Sequence, residues 1–111
     1  MGTNVVRRTP RYSLVVDVEM IDDRLTTQFK GRTKTLSMFG CGVETSKQFP
    51  KGTSVRIKLS HQGEEVRALA RVIYSSPYLG MGFAFTSLDQ ESEQILMWWI
   101  AEYVSIPKQE I

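Results

Sequence analysis

The feature that most constrains the fold of this chain is the alternation of apolar and polar residues in short segments. Successive side chains of a β-strand point to opposite faces, so an apolar residue at every second position indicates a strand with one buried face. Turn signals such as Asp22-Asp23 and Pro50-Lys51-Gly52 separate the segments. The predicted strands are residues 12–21, 26–36, 40–44, 55–59, 66–73 and 80–85.

The apolar period changes near residue 89, where the sequence predicts a helix. Asp89 suits the N-cap position, and Glu91 and Glu93 fall in the first turn, where carboxylates favour the positive end of the helix dipole. Apolar residues recur at helical spacing after this first turn, at positions 95, 96, 99, 100 and 103. Pro107 lies beyond the predicted end of the helix. The predicted helix covers about residues 89–104.

Short strands followed by one helix predict a mainly β fold, a small antiparallel six-stranded β-barrel closed by one C-terminal α-helix. A length of 111 residues fits one domain. We expect a barrel domain over residues 12–106, preceded by a basic arm over residues 1–11. No apolar run approaches the roughly 18 residues of a membrane span, and no secretory signal is recognisable. We therefore expect a cytoplasmic location and no membrane insertion.

The residues that most enzymes and metal sites need are scarce in this chain. It has one histidine and one cysteine, which argues against a zinc site and against a catalytic triad. His61 falls in a polar turn, where a solvated side chain is expected. Cys41 lies between two glycines, where a small buried side chain is expected. The sequence predicts neither catalysis nor a metal.

The positive charge of the chain is concentrated near its start. The net charge is only +2, yet residues 1–71 hold 13 basic and 7 acidic residues, whereas residues 72–111 hold one and five. Arg7, Arg8 and Arg11 surround Pro10 with no acidic neighbour, and guanidinium groups match phosphate oxygens and the edge of guanine. The arm is therefore expected to bind an anionic ligand. The modest net charge argues against a nucleic-acid partner, although several basic residues are predicted on outward strand positions: Arg56, Lys58, Arg67 and Arg71.

A second candidate segment follows the second predicted strand. Ser37 offers a hydroxyl that donates and accepts hydrogen bonds, and Gly40 and Gly42 allow a ligand to approach the backbone closely. Together with the arginines, this segment is typical of a nucleotide-binding loop set against a barrel wall.

These two segments resemble the signature of the PilZ domain, a bacterial receptor module for cyclic di-GMP. Arg7 and Arg11 match its R-x-x-x-R motif, and Ser37 and Gly40 match its [D/N]-x-S-x-x-G motif. The order of motifs and strands is similar over nearly the whole chain. Thr35 departs from the family's Asp or Asn. Its hydroxyl can accept one hydrogen bond of about 1 kcal/mol, roughly half the strength of a charge-assisted bond to Asp.

The resemblance implies a split-barrel receptor that binds cyclic di-GMP with no other cofactor. It would transmit the signal to an effector protein through ordering of the arginine-rich arm, as a monomer or homodimer. The alternative is a degenerate PilZ-like adapter that no longer binds the ligand and contacts partner proteins in motility or pilus machinery, with Trp98 or Trp99 as a contact. The implied ligand-binding residues are Arg7, Arg8, Arg11, Thr35, Ser37, Gly40 and Gly42.

Overall fold

The computed structural model describes residues 10–105, which form six strands and one helix. The strands close into a barrel in the order β1-β2-β3-β6-β5-β4, with antiparallel neighbours throughout. The predicted fold class is therefore confirmed. The elements are β1 (Asp17–Asp22), β2 (Gln28–Ser37), β3 (Gly40–Val43), β4 (Ser54–His61), β5 (Glu64–Ser76), β6 (Gly80–Leu88) and α1 (Gln90–Ser105).

The barrel core follows the alternation of the sequence. In the pairing of β4 with β5, Ile57 lies opposite Ala68 and both are buried, whereas the neighbouring Arg56 and Arg67 are exposed. A one-residue shift of register would turn the apolar set outward, so burial of one face specifies the pairing. The largest fully buried side chains are Phe83, Met20, Leu36, Leu59, Met81, Leu96, Val18, Val43, Val55, Val66 and Val72.

Helix α1 packs on the barrel through one face and is capped as the sequence predicts. The carboxylate of Asp89 accepts a hydrogen bond from the backbone N–H of Ser92 at 2.7 Å. The Ser92 hydroxyl in turn accepts one from the backbone N–H of Arg67 in β5 at 2.9 Å. Leu96 and Trp99 are buried in the barrel's hydrophobic cluster, whereas Trp98 is exposed. Of the two adjacent tryptophans, Trp99 therefore packs into the core and Trp98 faces solvent.

The acidic turn after β1 has a structural role. The carboxylate of Asp22 accepts hydrogen bonds from the hydroxyl and backbone N–H of Thr26, each at 2.7 Å, and from the backbone N–H of Thr27 at 3.0 Å. The Thr26 hydroxyl and the Thr27 N–H lower the pKa of Asp22, since they stabilise its charged form. Asp22 is the last residue of β1 and the chain turns from Asp23 onward, so the predicted turn begins one residue later than the sequence indicates.

The first strand begins later than the alternation predicts, at Asp17 rather than Tyr12. The hydroxyl of Thr33 explains the difference. It accepts a hydrogen bond from the backbone N–H of Val16 and donates one to the carbonyl of Leu14, both at 2.9 Å. A side chain thus takes the place of the strand ladder, and the alternating burial persists without regular pairing.

Two further predictions about turns are wrong at their edges. The predicted turn at Ser75-Ser76 belongs to β5, and the chain turns at residues 77–79, where the Ser76 hydroxyl accepts the N–H groups of Tyr78 and Leu79. His61 is the last residue of β4 instead of a solvated turn residue. Its ring meets Trp99 edge to face, with centroids 5.3 Å apart.

The buried hydroxyl of Thr33 yields a prediction about stability. Thr33→Val keeps the shape of the side chain but leaves the Val16 N–H and the Leu14 carbonyl without this partner. We expect the free energy of unfolding to fall by about 1–3 kcal/mol in urea denaturation. Thr86→Val, an exposed change in β6, is the control and should alter stability by no more than about 0.5 kcal/mol. Equal effects of the two substitutions would contradict this role.

Candidate ligand-binding site

Tyr12, the residue that directly follows the basic arm, is fixed to β2 by backbone hydrogen bonds. The N–H of Tyr12 donates to the carbonyl of Leu36 at 3.0 Å, and the N–H of Leu36 donates to the carbonyl of Tyr12 at 2.9 Å. This isolated bridge places Arg11 beside the end of β2, where Ser37 follows Leu36. A long-range contact between two backbones thus joins the two candidate segments of the sequence.

A surface cavity of about 230 Å³ lies where the segments meet. It brings together Arg11, Thr35, Ser37 and Gly40, four of the seven residues implicated by sequence. Arg11 is exposed, and no carboxylate lines the cavity among the described residues. The only charged side chain in the lining is therefore cationic, which favours an anion. The lining residues are Arg11, Thr35, Ser37, Phe39, Gly40, Cys41, Ile73, Tyr74, Gly82, Phe83 and Ala84.

The tight turn between β2 and β3 shapes one wall of the cavity. The Ser37 hydroxyl accepts a hydrogen bond from the backbone N–H of Phe39 at 3.1 Å and donates one to the carbonyl of Gly40 at 3.4 Å. The N–H of Phe85 in β6 donates to the carbonyl of Phe39 at 2.8 Å. A Cβ at Gly40 would overlap the carbonyl oxygen of Phe83. Ser37 and Gly40 therefore fix the turn as well as line the cavity.

Gly42 lies beside the cavity and leaves space for two of its side chains. It is paired with Thr35 across β2 and β3, and a Cβ at this position would lie 2.9 Å from the Thr35 hydroxyl and 3.6 Å from the Tyr74 hydroxyl. Gly42 is not part of the cavity lining. The residue thus sets the position of the Thr35 side chain, which is half-buried.

Tyr74 is a site residue that the sequence reasoning missed. Its ring covers Gly82 so closely that a Cβ at Gly82 would overlap the ring, and its side chain remains 36% exposed at the cavity. A register shift between Val72 and Tyr74 places it there, and simple alternation does not encode such a shift. The signal that could have found it is Gly82 within a strand, because a strand glycine often marks a close approach of another group.

Cys41 lines the cavity without offering reactive chemistry. Burial raises the pKa of its thiol to about 12, so the group stays neutral near pH 7. A neutral buried thiol is a poor nucleophile. The prediction of a small buried side chain is confirmed.

Two of the predicted ligand-binding residues, Arg7 and Arg8, lie outside residues 10–105, which the structure describes. Their part in the site therefore stays a prediction. Within that range, no group of three or more His, Cys, Asp or Glu side chains is placed to hold a metal ion. No helix within it is long and apolar enough to cross a membrane.

The closed six-stranded barrel, its C-terminal helix and the cavity beside the β2–β3 turn define the class of domain to which this chain belongs. The sequence profile of the PilZ domain matches residues 6–102, and the chain belongs to the PilZ domain family. PilZ domains are binding and receptor domains, and cyclic di-GMP is the ligand typical of the family.

Several solved structures share the fold, and two of them are described as PilZ domains. The PilZ domain of CeSA from a cellulose-synthesizing bacterium is 24% identical with a TM-score of 0.70, over 86% of this chain and 98% of that one. The PilZ domain of YcgR from Escherichia coli, solved with cyclic di-GMP, is 18% identical with a TM-score of 0.64, over 87% and 93%. The inhibitor of motility MotI/DgrA from Bacillus subtilis is 16% identical with a TM-score of 0.73, over 95% of this chain and 55% of that one. No curated protein sequence matches the chain.

The contact of Gly40 with β6 yields a second prediction. Gly40→Ala forces a methyl group against the Phe83 carbonyl, and we expect the free energy of unfolding to fall by about 1–3 kcal/mol in chemical denaturation. Gly31→Ala in β2 is the matched control, since its Cβ would meet Val43 at an ordinary 3.8 Å. A Gly40→Ala variant as stable as Gly31→Ala would disprove the steric requirement.

Proposed function

We propose that this PilZ domain is a receptor for cyclic di-GMP, held between the basic arm and the cavity beside the β2–β3 turn. The observation that carries the proposal is the cavity itself, which gathers Arg11, Thr35, Ser37 and Gly40 from two separate segments without a carboxylate among its described lining. A cyclic dinucleotide needs donors for phosphate and a flat surface for guanine. Arginine supplies the first, and an exposed aromatic ring supplies the second.

The size of the cavity supports a role for the arm. A volume of about 230 Å³ is smaller than the roughly 300–1,000 Å³ of pockets that enclose drug-sized ligands. It suits a single base with its adjoining phosphate, so the rest of a cyclic dinucleotide would lie outside it. Arg7 and Arg8 precede Arg11 by four and three residues, and they are the groups we assign to that outer part.

Four lining residues, together with Gly42 beside the cavity, have distinct proposed roles. Arg11 donates to a phosphate or to the guanine edge, and Tyr74 stacks on the base through the exposed part of its ring. The Thr35 hydroxyl accepts one hydrogen bond from the base, in the place of the family's carboxylate or amide. Ser37 holds the turn and presents its hydroxyl to the ligand, while Gly42 keeps room for Thr35.

The outward basic residues do not favour a nucleic acid as the ligand. Lys58 lies 3.7 Å from both Glu19 and Glu65, and Arg67 lies 2.7 Å from Glu65. Carboxylates therefore divide the basic surface on β4 and β5, and a continuous track for a phosphate backbone is not formed by these residues.

The proposed ligand site is tested by calorimetry with cyclic di-GMP on the full chain. We expect Arg11→Ala to weaken binding about 10- to 100-fold, because a hydrogen bond to a charged group contributes about 1.5–3 kcal/mol. Thr35→Asn should strengthen binding about fivefold by restoring an amide. Arg56→Ala, an exposed change on β4, is the control for loss of positive charge and should leave affinity unchanged. Absence of heat from the unaltered chain at tens of micromolar ligand would refute the proposal.

The second candidate is an adapter that no longer binds the ligand. Thr35 at the Asp or Asn position and the 58% exposure of Trp98 favour it. A chain that gives no heat with cyclic di-GMP, and none after Thr35→Asn, would support this candidate.

The route from the arm to the helix is part of the proposed receptor mechanism. Tyr12 follows Arg11 and is bonded to β2, and its ring meets Tyr103 of α1 edge to face with centroids 6.0 Å apart. Ordering of the arm by a ligand would therefore tighten a contact with the last turns of α1. A partner protein that binds this helix would respond to the change in that contact.

The Tyr12–Tyr103 contact yields a prediction about dynamics. We expect saturating cyclic di-GMP to slow amide hydrogen exchange in the last two turns of α1, and Tyr103→Ala to abolish this effect while changing affinity by less than about threefold. Val104→Ala, the adjacent exposed residue, should preserve the effect. Slowed exchange that persists in Tyr103→Ala would contradict the route.

A further inference from the structure

A second concave surface lies between the β4–β5 turn and the first turns of α1. Its volume is about 480 Å³, and it shares no lining residue with the ligand cavity. We call it the helix groove. Its lining residues are Glu64, Gln90, Glu91, Gln94, Ile95 and Trp98.

The apolar part of the helix groove is an exposed tryptophan. Trp98 is 58% exposed, whereas the adjacent Trp99 is 2% exposed and belongs to the core. Ile95 is half-buried against the core, one turn before Trp98. The indole thus offers a wide face to a partner, and tryptophan is among the residue types enriched at the energetic centres of protein interfaces.

The polar part of the helix groove contains two carboxylates that form no ion pair among the described residues. Among the described residues, no basic side chain lies within 4.0 Å of the carboxylates of Glu64 or Glu91. Helix α1 contains Glu91, Glu93 and Glu102, and no Lys or Arg occurs in residues 90–105. The charge of the groove is therefore complementary to a cation.

A guanidinium or ammonium group fits both parts at once. A cation within about 6 Å of a tryptophan ring is attracted to the ring face, and arginine stacks there while its N–H groups reach carboxylates. The two carboxylates line the same groove as Ile95 and Trp98, so a cation that carries apolar neighbours satisfies the groove better than a free ion. Phosphate groups of nucleic acids or lipids would meet like charge at Glu64 and Glu91.

We propose that the helix groove is a docking site for a basic, partly apolar segment of another protein. One Arg or Lys side chain of that segment lies on the face of Trp98, between Glu64 and Glu91, and its apolar neighbours cover Ile95. The chemistry of the partner is inferred from the groove residues alone and does not depend on the binding of cyclic di-GMP. The groove belongs to the surface of α1, whose opposite end is joined to the arm through Tyr103.

The probe for this proposal is a phage-displayed library of random dodecapeptides selected against the full chain. We expect the enriched peptides to carry Arg or Lys beside apolar residues. Synthetic copies should shift the indole N–H resonance of Trp98 in a nitrogen–proton correlation spectrum and leave that of Trp99 unchanged. Enrichment of neutral or acidic peptides, or no enrichment at all, would overturn the proposal.

Two matched pairs of variants test the residues. Trp98→Ala should weaken the selected peptides at least about 30-fold, whereas Met97→Ala, a 49% exposed neighbour outside the groove, should have no effect. Glu91→Gln should weaken them about two- to fivefold and Glu93→Gln, two residues away and outside the groove, should not. Trp98→Lys places a positive charge where the cation of the peptide would bind, and it should therefore abolish binding. Equal effects within either pair would overturn the assignment.

Two further measurements distinguish a docking site at the helix groove from a dimer interface and from the receptor function. Sedimentation that reveals a dimer dispersed by Trp98→Ala would make a second copy of this chain the occupant and overturn the proposal. Failure of cyclic di-GMP to bind would refute the receptor function alone, because peptide binding at the groove is measured without ligand. Loss of peptide binding in Trp98→Ala with cyclic di-GMP affinity unchanged is the result that supports two separate sites.

Discussion

The close approach of β3 and β6 is the constraint on which the rest of this domain depends. A Cβ at Gly40 would overlap the Phe83 carbonyl, and one at Gly80, where φ is +86°, would overlap the Val43 carbonyl. Glycine at both positions lets the four-residue strand β3 pair with β6 and close the barrel, which leaves no open sheet edge. The same approach fixes the turn that carries Ser37. The cavity is thus a consequence of how the barrel closes.

The division of charge along the sequence corresponds to a division of surfaces in the fold. The arm, where Arg11 lies at the cavity, is basic, and α1, which carries Glu91 at the helix groove, is acidic. The net charge of +2 for the whole chain does not reveal the basic arm or the acidic helix. We propose an anionic ligand at one site and a cationic protein segment at the other on the basis of these opposite local charges, because screening confines each field to about 8–10 Å at physiological salt. The contact of Tyr12 with Tyr103 is the physical link that we propose between them.

Much of this fold could be predicted because burial of one strand face produces a period of two, and the cap of α1 follows from Asp89. Candidate site residues could be selected from the sequence where a side chain carries its own chemistry, as Arg11 and Ser37 do, and both line the cavity. Two features of the structure could not be predicted from the sequence. The late start of β1 depends on the Thr33 hydroxyl reaching a segment 17 residues away, and the position of Tyr74 depends on a register shift in β5. Long-range hydrogen bonds and bulges leave no periodic mark in the sequence.

We propose that cyclic di-GMP binds between the arm and the β2–β3 turn, and a titration of the nitrogen-15-labelled full chain with this ligand is the decisive measurement. The amide resonances of Arg11, Tyr12, Ser37 and Gly40 should shift together and saturate at one ligand concentration. Under the same conditions the resonances of Glu64 and Glu91, which line the helix groove, should stay within a small fraction of those shifts. Shifts confined to the helix groove, or no saturable shift at Arg11 and Ser37, would show that the ligand does not bind at the proposed site.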